Sequence, residues 1–162
     1  MCLTVTSTEK NYKKSVKVAE EDIVCWKVVT VDNYGKVLTA YRDFPVQLGK
    51  RLRAKGKIKC ARTVFKLASG EEVYYHDFEG GLIHTYADKR SAYLLASDYS
   101  ITAVVKCIIP KGSKYYEGDF FRDKGYASKN IIVTKEIFYA GFVAKTKLKE
   151  QRGVIFNSRY DF

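Results

Sequence analysis

Ile101-Thr102-Ala103-Val104-Val105-Lys106-Cys107-Ile108-Ile109 is an almost unbroken apolar stretch, closed by Pro110-Lys111-Gly112. Branched side chains suit a pleated surface, and a proline cannot continue a central ladder. The stretch predicts a core strand with Ile101, Ala103, Val105, Cys107 and Ile109 on one face. A partner lies upstream. Asp22–Val31, DIVCWKVVTV, sets Val24, Trp26 and Val28 on one face and Cys25, Lys27 and Val29 on the other. Asp32-Asn33-Tyr34-Gly35 follows as a tight turn, because Asn and Gly accept the left-handed backbone that hairpins need. Lys36–Tyr41 then returns as the hairpin's second strand.

Further strands are expected at Thr63–Leu67, Val73–His76, Gly80–Tyr86, Ser113–Glu117 and Asn130–Phe138. Gly118–Lys129 reads as a polar and aromatic loop. The tail from Gly141 alternates Lys145, Lys147 and Lys149 and ends on Val154-Ile155-Phe156. One helix is expected, over about Asp88–Ser97, with Asp88 as its N-cap. Ala87, Ser91, Leu94 and Leu95 share its inward face, at i, i+4, i+7 and i+8. Leu94 and Leu95 should then be buried together with Trp26, Val28, Ala103 and Val105. One helix among several strands predicts an α+β fold: a mostly antiparallel sheet or half-open barrel with one main covering helix. Residues 1–21 are polar and lysine-rich and read as a loosely held N-terminal arm. Residues 22–162 read as a single α+β domain.

Composition narrows the function classes. A chain of 162 residues with 46% apolar side chains has material for a core without metal or disulfide. Cys2, Cys25, Cys60 and Cys107 are widely spaced, with no CxxC pair. They read as reduced thiols and not as zinc ligands, so no metal is expected. The N-terminus lacks a basic-then-apolar signal pattern, and no apolar run approaches a membrane span of roughly 20 residues. The expected compartment is the cytoplasm, and no membrane partner is expected. Lys and Arg number 29 against 18 Asp and Glu, a net charge of +11. That excess favours an anionic partner: a nucleotide, a nucleic acid or an acidic protein surface.

P-loop, GxGxxG, GxSxG, HExxH and EF-hand patterns are absent, so no cofactor is expected. The stretch Pro110–Asn130 interleaves Lys111, Lys114, Arg122, Lys124 and Lys129 with Tyr115, Tyr116 and Tyr126. Cations hold phosphates and aromatic faces stack on bases, so these eight residues are the candidate binding set. Residues 50–62, KRLRAKGKIKCAR, carry seven cations and no acid and form a second basic patch. His84, before the helix, is a candidate acid or base. Glu136, in phase with Ile132 and Thr134, is a candidate cleft carboxylate.

Several motifs taken together resemble a family. Gly80-Gly81-Leu82-Ile83-His84-Thr85-Tyr86 precedes the helix, and CIIPKGSKYYEG with the later Tyr126-Ala127-Ser128 forms a hairpin motif. Over residues 23–138 this is similar to small proteins of bacteriophages and Bacteroides-type bacteria. The resemblance implies a phage or prophage origin, and hence the host cytoplasm, but attaches no activity. His84, Tyr126 and Glu136 also occur in the order of the histidine, tyrosine and glutamate of some ADP-ribosyltransferases. That weaker resemblance implies a nucleotide-acting enzyme using those three residues. The leading expectation is a non-enzymatic phage accessory or host-modulating protein that binds an anionic partner.

Overall fold

A computed structural model describes residues 2–157. Residue 1 and residues 158–162, the outer ends of the expected arm and domain, lie outside the described residues. The strands are β1 Leu3–Ser7, β2 Lys17–Val18, β3 Ile23–Val31, β4 Val37–Thr39, β5 Arg51–Arg53, β6 Lys59–Lys66, β7 Glu72–Gly80, β8 Ile83–Tyr86, β9 Thr102–Ile109, β10 Lys114–Phe120, β11 Asp123–Ser128, β12 Asn130–Ala140 and β13 Ile155–Phe156. Two helices, α1 Lys89–Ala96 and α2 Phe142–Leu148, and a short 3-10 turn at Tyr12–Ser15 complete the elements of the described residues. All thirteen strands join one sheet, whose main path runs β13-β12-β9-β3-β8-β11-β10-β1-β7-β6. Every pairing is antiparallel except β12 with β13. The path is open, ending on β13 and β6, so the fold is α+β with an unclosed sheet.

The predicted core pair is present. β3 and β9 pair along their length from Ile23↔Ile109 to Thr30↔Thr102, which sets Cys25 opposite Cys107. The turn that joins β3 to β4 is held as its sequence suggests: the Asp32 carboxylate accepts from the Tyr34 and Lys36 amides, and Gly35 takes φ +79°. Both faces of this pair are buried. Cys25, Val29, Ala103, Val105, Cys107 and Ile109 enter a first core with Ile131, Val133, Ile137, Ala144 and Leu148. Val28 and Val104 enter a second core with Leu3, Phe78, Tyr86, Ala92, Ala96 and Phe138, against which Trp26 and Leu95 pack. Of the six side chains expected in one cluster, Ala103 and Val105 enter the first core, Trp26, Val28 and Leu95 the second, and Leu94 neither, because consecutive strand residues point oppositely and Leu94 lies on the outer side of its helix.

A single covering helix is corrected to two, on opposite faces. The lysine alternation from Gly141 suggests extended chain, but Ala144 and Leu148 lie one helical turn apart and both bury in the first core, which fixes α2. α1 begins where expected, with the Asp88 carboxylate accepting from the Ser91 amide at 3.3 Å. Its inward face is Ala92 and Ala96, flanked by Leu95 and by Tyr93, which meets Tyr139 edge-on at 4.9 Å. Leu94 is 57% exposed. The helix rests on the sheet through alanines, whose small side chains permit close approach, and the larger leucine points away.

Two further expectations change. Gly118–Lys129 is not a loop, since β11 pairs with β10 from Tyr115↔Ser128 to Phe120↔Asp123. The N-terminal segment is not loosely held either. β1 pairs with β7 over Leu3–Ser7 and meets β10 at Thr4, and Leu3 is fully buried. At Gly118 a Cβ would lie 2.3 Å from the Thr4 carbonyl oxygen, so glycine is what lets β1 close onto β10. The arm's polar composition misleads because Leu3 and Val5 alternate with Thr4 and Thr6, a half-buried strand's pattern. Leu3→Ala should therefore cost about 2–5 kcal/mol in urea denaturation, as for other fully buried leucines. Leu94→Ala should cost under about 0.5 kcal/mol, as for an exposed side chain.

Candidate functional site

The aromatic and cationic residues expected at one binding surface sit on the β10–β11 hairpin, where strand alternation separates them. Tyr115 and Tyr126 meet edge-on at 5.7 Å and pack against the first core. Tyr116 points oppositely into the second core, its ring 4.5 Å from that of Phe78. The three rings therefore form no common stacking platform. Lys124 and Lys17 both bind the Glu117 carboxylate, Lys17 at 2.7 Å. The Lys129 ammonium donates to the Gly56 carbonyl at 2.6 Å. Lys111, Lys114 and Arg122 stay exposed. Lys111 and Lys114 are at one end of the hairpin and Arg122 at the other, a strand length of roughly 20 Å away.

His84, Tyr126 and Glu136 are not brought together. His84 pairs with Ala127 on the face of the second core, its ring 5.7 Å from Phe120. Tyr126 pairs with Thr85 on the opposite face. Glu136 lies in an irregular stretch of β12, ion-paired to Lys106 at 3.2 Å. β12 is separated from β8 by β9 and β3, a spread of about 14 Å at the usual strand spacing. Lys27, between Cys25 and Val29 on one face of β3, donates to the His84 carbonyl at 3.0 Å. Burial holds its ammonium below the ordinary lysine range, while nearby Cys107 and Cys25 act in the opposite direction.

A concave site forms elsewhere, over the far end of the sheet. On β7 the alternation Tyr74, His76, Phe78 turns one face inward, and β6 adds Cys60 opposite Phe78 and Arg62 opposite His76. The chain after β1 crosses this face as the 3-10 turn and sets the Tyr12 ring edge-on to Phe78 at 5.6 Å. Lys10, Asn11, Tyr12, Cys60, Arg62 and His76 enclose about 530 Å³. His76 is buried, and its Nε2 meets the Glu9 carbonyl at 2.9 Å. A carbonyl only accepts, so Nε2 carries the proton. Arg62 donates to the Lys10 carbonyl at 3.2 Å, and its guanidinium lies 5.9 Å from the centre of the Tyr74 ring.

The lining residues include a lysine, an arginine, a histidine and a tyrosine and no aspartate or glutamate. Burial pushes the Cys60 thiol up to about 11, with Asp77 and Glu79 adding to the shift. The sulfur is therefore protonated at neutral pH and is no ready nucleophile. Among the described residues no group of three or more His, Cys, Asp or Glu side chains is placed to hold a metal.

Arg62 and Cys60 belong to the basic stretch read from residues 50–62, but the lining residues were not recognisable together as a site. They come from three separate segments. The one local signal is His76, in strand phase with Tyr74 and Phe78. No family model, curated protein or solved structure matches the chain.

The Glu117 bridge gives this region a pH signature. Hydrogen bonding from Lys124 and then Lys17 holds the Glu117 carboxyl below its ordinary range. A depressed carboxyl stabilises the fold above its unfolded pKa, and that contribution disappears as pH falls through the folded value. The stability difference between wild type and Glu117→Gln, measured by urea denaturation, should thus hold from neutrality down to the ordinary glutamate range, about 4.3, and shrink below it. A difference independent of pH would contradict the bridge.

Proposed function

We propose that this chain is a non-enzymatic binding protein that takes an anionic partner at the Lys10–Arg62–His76 pocket. What carries the reading is the lining itself: Lys10 and Arg62 both border a concave volume of about 530 Å³ with no carboxylate among the lining residues. An anion placed there can gain charge-assisted contacts from these two exposed residues, and because they are exposed the attraction weakens with salt. The pocket replaces the β10–β11 hairpin as the favoured surface, because the hairpin's aromatics are consumed by the two cores and Lys124 is neutralised by Glu117.

The net charge of +11 supports the same reading at longer range, since it draws anions toward the whole surface. The resemblance to small phage and Bacteroides-type proteins supports a phage accessory or host-modulating role in the host cytoplasm. Among the described residues no helix is long and apolar enough to cross a membrane.

Thermal shift measurements with inorganic pyrophosphate, ATP, a short single-stranded oligonucleotide and polyglutamate test the proposal. A ligand at a hundred times its Kd stabilises the native state by about 2.7 kcal/mol. At least one anion should raise the midpoint. Lys10→Glu and Arg62→Glu should abolish that rise, while Lys111→Glu and Lys114→Glu should leave it in place. No stabilisation by any of the four, or stabilisation lost only on changing Lys111 and Lys114, would overturn the proposal.

A further inference from the structure

β6 is the last strand on its side of the sheet, paired to β7 through one edge only. Seven of its eight residues, all but Cys60, are exposed, among them Val64 at 49% and Phe65 at 55%. An eight-residue edge with apolar side chains is a template for another strand, and proteins ordinarily shorten, cover or break such edges. β6 is neither covered nor interrupted by proline among the described residues. It carries Lys59, Arg62 and Lys66 and no acidic residue, and the basic stretch 50–62 runs directly into it.

We infer that β6 is a docking edge for an extended acidic peptide, which adds to the sheet as a further antiparallel strand and sends one carboxylate into the Lys10–Arg62 pocket. This deepens the anionic-partner reading and rests on it. Alternation sets the geometry. Cys60, Arg62 and Val64 share the pocket face of β6, opposite Phe78, His76 and Tyr74. A peptide residue beside Arg62 on that face lies about 5 Å from it, Cβ to Cβ, within reach of a glutamate. Backbone hydrogen bonds along the edge would supply affinity, and alternate side chains would supply selection.

Charge decides against a second copy of this chain as the occupant. Antiparallel self-pairing about the centre of β6 sets Lys59 of each copy opposite Lys66 of the other, with no acid on the strand to offset them. Like charges directly opposite destabilise a pair. An acidic strand meets the same three cations favourably. Nucleic acid would use the charge but leave the backbone edge unpaired.

Fluorescence anisotropy with three labelled probes tests this: an eight-residue peptide alternating Glu and Val, its Lys-for-Glu counterpart, and the Glu peptide with two valines replaced by proline. The Glu/Val peptide should bind with an affinity that falls with salt, and the lysine peptide should not bind. The proline peptide has the same charge but lacks strand donors, so it should bind at least about tenfold more weakly. Amide signals of residues 59–66 should shift on addition of the Glu/Val peptide, and Arg62→Glu should remove its binding. Equal binding of the Glu/Val and proline peptides, both lost in Arg62→Glu, would overturn strand addition while leaving the pocket reading intact. Pyrophosphate or oligonucleotide binding without peptide binding would do the same. Failure of every anion would overturn both.

Discussion

Two-sided burial of β9 is the constraint on which the rest of the structure depends. Ala103, Val105, Cys107 and Ile109 fill one core while Val104 fills the other. A strand apolar on both faces cannot sit in a sheet that shows one face to water. It needs neighbours in the plane and cover above and below. β3 and β12 supply the plane. α2 covers one face through Ala144 and Leu148, and α1 covers the other through Ala92 and Ala96.

That arrangement leaves the far side of the sheet to be stabilised by different means. Two short helices cannot cover thirteen strands, so the β10–β1–β7–β6 side buries its inner face with aromatic residues. Phe78, Tyr116 and Tyr12 pack ring against ring, and Tyr12 arrives on the segment that follows β1. The crossing of that segment over β6 and β7 creates the concavity. The outer edge of β6 gains no such cover. The pocket and the free edge are therefore consequences of one fact, that the second core thins toward β6.

Much of the fold could be read in the sequence where local pattern and environment agree. The β3–β9 pair, the Asp32–Gly35 turn and the Asp88 cap follow from alternation and cap chemistry, because those signals depend on neighbours in the chain. The helix face was harder to read. Leu94 looks more suited to burial than Ala92, yet a helix lying close on a sheet needs small residues beneath it. The N-terminal strand escaped because Leu3 and Val5 are only two apolar residues in a polar stretch, and their burial is set by β7 and by Gly118. The pocket was the least legible feature. Lys10, Arg62 and His76 lie far apart in the chain, and strand order alone brings them together. The β10–β11 hairpin shows the reverse effect. Its cations and tyrosines are neighbours in sequence, and alternation sends Tyr116 to one face and Tyr115 and Tyr126 to the other.

Native-state hydrogen exchange on the protein alone tests the central claim, that a doubly buried β3–β9 centre supports a far edge left unpaired. Buried central strands open only with global unfolding, whereas unpaired edges exchange readily. Amides of Thr102–Ile109 and of the facing β3 residues should be the last to exchange. In β6, every second amide, the set pointing away from β7, should exchange orders of magnitude faster. Uniform protection across β6 equal to that of β9 would contradict the account, since it would mean that the edge is already covered.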